Sequence, residues 1–177
     1  MMMRRVLFVV MLGVSIATSA QVGDMDGLSK AKQAREARKE AYTAEIDAIV
    51  KSRNYIFRPV TMQNITSGNT RSIFAYYLYM GVDNDKVVLH LPVEFTSFVI
   101  DTVNLDAFIE GYAATLNDGN WRITFSFMNG TERWLAEIFL SNITGQTRLA
   151  LVTPRGVMRY LGTIERGSPA KKKRIDR

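Results

Sequence analysis

The chain has 177 residues, a net charge of +6, one histidine and no cysteine. Lacking cysteine, it has no disulfides, no thiolate metal sites and no thiol nucleophile. The positive charge sits at the ends, in Arg4-Arg5 and in the tail Lys171-Lys172-Lys173-Arg174. Residues 21–166 are balanced between acid and base, which excludes a basic nucleic-acid-binding face.

Met1 to Arg5 form a short basic start, Val6 to Ala17 an uncharged apolar run, and Thr18-Ser19-Ala20 a small-residue ending. That order predicts an export signal over residues 1–20. The apolar run of about 12 residues is too short for a helix to cross a bilayer, which takes about 20. The remaining chain suits one domain, long enough to bury roughly two-thirds of its unfolded surface.

Residues 21–53 are expected to form a linker and a helix. The stretch "LSKAKQAREARKEAYTAEIDAIVKSR" contains no Gly or Pro and is dominated by strong helix formers. Its bulky apolar residues, Tyr42, Ile46, Ile49 and Val50, lie in the second half, which is therefore the half expected to pack on the domain.

From Asn54 the texture changes to short β-forming runs separated by polar turns. "NYIFRPVTMQNI" (54–65) predicts a strand with Pro59 at an edge or a bulge. "SIFAYYLYMGV" (72–82) predicts one strand, apolar on both faces, with the helix lying on it. Residues 83–85 read as a turn and "KVVLHLPV" (86–93) as the hairpin partner. His90 falls in step with Lys86 and Val88, on the wetter face. Residues 94–107 read as a crossing loop with one short strand, and 108–116 as a strand. "WRITFSF" (121–127), "ERWLAEIFLS" (132–141), "TRLALVT" (147–153) and "VMRYLGTIE" (157–165) alternate between an apolar and a polar face. Links this short do not permit parallel pairing, which needs a crossover of about a dozen residues. The expectation is a mainly β fold over residues 54–166: an antiparallel meander of about eight strands closing into a barrel or flattened sandwich. It is preceded by one long helix and followed by a basic disordered tail (167–177), which anionic surfaces would attract.

The chemistry the residues support is narrow. With His90 alone and no Gly-x-Ser-x-Gly elbow, no nucleophile-and-base pair is visible. One histidine and scattered carboxylates do not make a metal site, and Asp83-Asn84-Asp85 lacks the glycine of a calcium loop. No catalytic residue, metal ligand or cofactor is therefore assigned. Glu94, Asp101, Asp106 and Glu110 are the carboxylates from which a hydrolase would have to draw a pair. Three Asn-x-Thr sequons, at Asn64, Asn129 and Asn142, fall at turns or strand ends. Asp101-Thr102-Val103 resembles a short bacterial O-glycosylation acceptor.

Set out in this order, the chain resembles an uncharacterised domain family of exported Bacteroidetes proteins. The resemblance rests on the signal, the Ala/Lys/Glu-rich helix, "YIFRPVTMQ", "VVLHLP" and "WRITFSFMNGTERWLAEIFLSNITGQTRLALVTPRGVMRYLGTI". Family members carry an aromatic-glycine step after Leu-Pro, whereas Val93-Glu94-Phe95 follows Leu91-Pro92 here. The resemblance implies an exported all-β domain and supplies no catalytic residues.

The functional expectation is a non-enzymatic periplasmic or cell-envelope protein. It would bind a small apolar or sugar-like ligand, or an envelope protein partner, with Tyr76, Tyr77 and Tyr79 as the binding residues. The alternatives are a carboxylate-based hydrolase and a small outer-membrane β-barrel.

Overall fold

The structure is a computed structural model and describes residues 22–64, 68–73, 75–95 and 100–169. The export signal and the tail from residue 170 lie outside these residues. The chain divides into two compact units, Met1–Ala37 and Arg38–Arg177. In the first, the helix α1 (Val22–Ser52) begins, and the side chains of residues 29–37 are exposed. The second holds the rest of α1 and all the strands.

Among the described residues there are nine strands: β1 (Asn54–Asn64), β2 (Thr70–Ser72), β3 (Tyr79–Asp83), β4 (Lys86–Phe95), β5 (Ile100–Asn117), β6 (Asn120–Asn129), β7 (Glu132–Ser141), β8 (Gln146–Thr153) and β9 (Gly156–Arg166). All pairs are antiparallel, each of β3 to β8 pairs with the next, and β1 pairs with both β3 and β9. The result is a closed barrel of eight strands, the closed form of the expected meander. Closure removes the unpaired edges that an open sheet of this size would expose.

The alternation that marks β6 to β9 in the sequence is realised directly. Trp121, Ile123, Phe125 and Phe127 point inward from β6, and Trp134, Ala136, Ile138 and Leu140 from β7. Pro59 does mark a bulge, since the β1–β9 register slips between Pro59 and Thr61. A second bulge lies between Glu110 and Ala113, where Gly111 takes φ +63°. An L side chain is disfavoured there, and the extra residue flips the strand's parity. Odd residues such as Leu105 and Ile109 face the core before it, and Tyr112 and Ala114 after it.

Three expectations need correction. Residues 72–82 are not one strand: β1 is long enough to take two short partners on the same edge, β2 opposite Thr61–Gln63 and β3 opposite Asn54–Phe57. Residues 75–78 lie outside the sheet, and Leu78 N–H donates to Ala75 O at 3.1 Å to close a turn at Tyr76-Tyr77. Residues 100–107 are not a loop but the start of the single 18-residue strand β5, and 94–95 end β4; residues 96–99 lie outside the described residues, and β5 changes its inward parity at the Gly111 bulge. Finally, the helix does not lie on residues 72–82.

The second half of α1 instead closes the end of the barrel at which β1 begins. Ile46, Ile49 and Val50 are buried there, each worth roughly 1.5–3 kcal/mol. Trp121 Nε1–H donates to Asp47 Oδ1 at 2.8 Å, Asn142 Nδ2 donates to the same oxygen at 3.0 Å, and Thr43 Oγ1 donates to Asn142 O at 3.4 Å. Beyond β9, Ser168 Oγ donates to Asp83 Oδ2 at 2.6 Å. The Pro169 ring rests on Gly81, where a β-carbon would come within 2.6 Å of it.

Candidate functional site

Pairing across the barrel wall builds a row of outward side chains that no local stretch of sequence contains. Tyr79 on β3 is opposite His90 on β4, and His90 is opposite Asn104 on β5. On the other side of Tyr79, Arg58 of β1 places its guanidinium 5.6 Å from the tyrosine ring centre. The row Arg58, Tyr79, His90, Asn104 therefore spans four strands. Residues directly opposite on one face of a sheet stand about 5 Å apart, close enough for each to orient the next.

The Tyr76-Tyr77 turn sits over this row. Arg58 holds it, with Nη1 donating to Tyr76 O at 2.7 Å and Nε to Glu165 Oε1 at 2.9 Å. Tyr77 meets His90 edge-on, with ring centres 5.6 Å apart at 61°. Tyr76 meets Tyr77 edge-on at 5.9 Å and 82°. Such T-shaped contacts suit the ring quadrupoles. Tyr76 is 84% exposed and Tyr77 55%, values far above what packing would leave for a side chain of this size.

His90 Nδ1 is hydrogen-bonded to Asn104 Oδ1. The two groups thus orient each other, with Nε2 of the imidazole and the rest of the Asn104 amide left to face a ligand. Burial raises the Tyr79 phenol above its usual range, Arg58 pulls it down and Asp106 pushes it up, so Tyr79 stays a neutral hydroxyl at physiological pH. The Arg58 charge is met by Glu165. The cluster thus presents aromatic rings, hydroxyls, an amide and an imidazole, with the Arg58 charge offset.

All three predicted tyrosines belong to this cluster. Arg58, His90 and Asn104 join them through strand register alone, so the chain's spacing does not single them out. His90 does show the expected parity, flanked by the buried Leu89 and Leu91. Of the four carboxylates, Glu94 and Asp101 lie opposite each other in the β4–β5 register, whereas the other two stand apart. Asp106 and Glu110 are exposed on the outer side of β5, four residues or about 13 Å apart along a strand. That exceeds the ~5–9.5 Å over which glycosidase carboxyls cooperate, and Glu110 is paired with Arg133 at 2.7 Å. Among the described residues no group of three or more His, Asp or Glu is placed to hold a metal.

The interior is apolar. Phe57, Met80, Val87, Phe127, Ile138 and Leu151, from six different strands, have no exposed surface, so no solvent-sized space opens in front of them. The inward apolar residues of β5, Val103, Leu105, Ala107, Ile109, Tyr112 and Ala114, are only partly buried. Outward positions carry Arg122, Arg133, Arg148 and Arg159. This apolar-in, charged-out arrangement is the reverse of a transmembrane barrel.

The sequence matches the model of a domain of unknown function, DUF4251, over residues 37–164. A crystal structure of a DUF4251 family protein from Bacteroides eggerthii DSM 20697 is similar in fold, with a TM-score of 0.61 at 12% identity. The match covers 73% of this chain and 91% of that one. No curated protein matches.

Proposed function

This chain belongs to the DUF4251 family, and we propose that it is an exported, non-enzymatic binding protein of the periplasm or cell envelope that works through the outer face of β1, β3, β4 and β5. The observation that carries this reading is the Tyr76-Tyr77 turn, held by Arg58 over the Tyr79–His90–Asn104 row with most of its aromatic surface exposed. Keeping large aromatic rings in water gains the fold nothing, whereas a ligand or partner that covers them gains their burial. Export rests on the basic start and apolar run of residues 1–20.

His90 is the only histidine, so its imidazole gives one resolved proton NMR signal at the centre of the face. Titration with neutral oligosaccharides, an apolar amphiphile and acidic and basic peptides is expected to shift that signal saturably with at least one probe. A probe set that moves only core methyls, such as those of Ile123 and Ile138, would overturn the outer-face reading.

A second reading follows from the half-buried inward residues of β5. An apolar ligand could lie along them inside the barrel wall, and binding of that kind would move the methyls of Leu105 and Ile109 while leaving His90 unmoved.

A further inference from the structure

We infer that the ligand of this outer face is a neutral saccharide, a pyranose stacked on the Tyr77 ring with Tyr76 standing at 82° beside it and its hydroxyls turned to His90, Asn104 and Asp106. The inference rests on the outer-face reading above and adds the chemical class.

The class follows from what the face offers. An anion would need a free cation, but Arg58 Nε is bound to Glu165, Nη1 is bound to the Tyr76 carbonyl, and Nη2, which has no partner, is buried away from the surface. An apolar partner would cover the His90–Asn104 pair and the exposed Asp106, and would leave polar groups buried without partners. A saccharide ring has what neither of these has. One of its faces is a patch of C–H groups that suits the negative face of an aromatic ring. Its rim carries hydroxyls that both donate and accept. Facing them are the Asn104 amide, the His90 Nε2 and, at the next outward position along β5, the Asp106 carboxylate, which accepts.

The placement is also prepared before binding. The turn is tied by the Arg58 bond to Tyr76 O and by Leu78 N–H to Ala75 O. The imidazole is oriented by Asn104 on the neighbouring strand and by the edge-on Tyr77 ring. Binding therefore orders few side chains, and the ordering cost falls accordingly.

The test uses the mature chain, the His90 signal, and maltotriose, cellotriose and chitotriose as probes. A saturable shift with at least one trisaccharide is expected, with Kd on the order of 1 mM, as suits a shallow site with few contacts. Tyr77→Ala should weaken it about tenfold, the scale of one lost aromatic contact. Because Tyr77 is largely exposed, the variant should keep the parent's unfolding midpoint. If the trisaccharides leave His90 unmoved while a peptide or the amphiphile shifts it, the saccharide inference is wrong and the outer-face reading stands. Silence of His90 to every probe overturns both. A saccharide shift that survives Tyr77→Ala unchanged also overturns the inference.

Discussion

Asp47 of α1 receives the indole N–H of Trp121 at 2.8 Å and the side-chain amide of Asn142 at 3.0 Å, on a single carboxylate oxygen. One acidic residue thereby ties the helix to the start of β6 and to the β7–β8 turn, where Asn142 N–H also donates to Gly119 O. Replacement by alanine leaves both donors without their acceptor. Asp47→Ala is expected to lower stability by about 1–3 kcal/mol, read as a reduced urea midpoint with Trp fluorescence as the probe. Asp47→Asn keeps an acceptor and should recover part of the loss.

The Arg58 ties predict a local effect. The Arg58–Glu165 pair is partly exposed and contributes less than about 1 kcal/mol, so Arg58→Ala should change global stability little. The Tyr76-Tyr77 turn, however, loses its anchor on β1. Hydrogen exchange at the Leu78 amide should speed up by about tenfold, equivalent to ~1.4 kcal/mol of easier local opening, while core amides of β6 and β7 keep their protection.

At alkaline pH the barrel should lose stability through its buried phenols. Burial is the main cause that raises Tyr55, Tyr112 and Tyr160 above the ordinary 10. Tyr55 and Tyr112 also share a 3.4 Å hydrogen bond, and Tyr160 donates to Pro92 O at 2.5 Å. A raised value means that the folded state holds a proton the unfolded state releases. The stabilisation is thus complete below pH 10 and declines as the pH rises above it. Absorbance at 295 nm should show these tyrosines ionising only with unfolding. Tyr160→Phe should cost about 0.5–1.5 kcal/mol at neutral pH.

Gly162 marks the seam where the barrel closes. It lies opposite Pro59 on β1 and Thr147 on β8, and a β-carbon there would stand 1.9 Å from Arg58 O and 2.9 Å from the Phe57 ring. Backbone cannot yield as a flexible side chain can. Gly162→Ala should destabilise by about 3 kcal/mol, seen in the thermal midpoint.

The sequence by itself determined the mainly β class, the antiparallel order, the packing half of the helix and the inward face of β6 to β9. Each is a local matter: period-two alternation, turn residues and helix propensity act within a few neighbours. It also determined the parity of His90 and the break at Pro59. What only the tertiary structure decided depends on pairing between distant segments. Closure of β1 on β9, two partners on one edge of β1, and the docking of Asp47 on Trp121 and Asn142 all follow from register. The candidate site belongs to this second group. Tyr76, Tyr77 and Tyr79 stand together in the chain, so composition points to them. Arg58, His90 and Asn104 reach them only because strands lie about 4.8 Å apart and the barrel's register aligns them on one outer row.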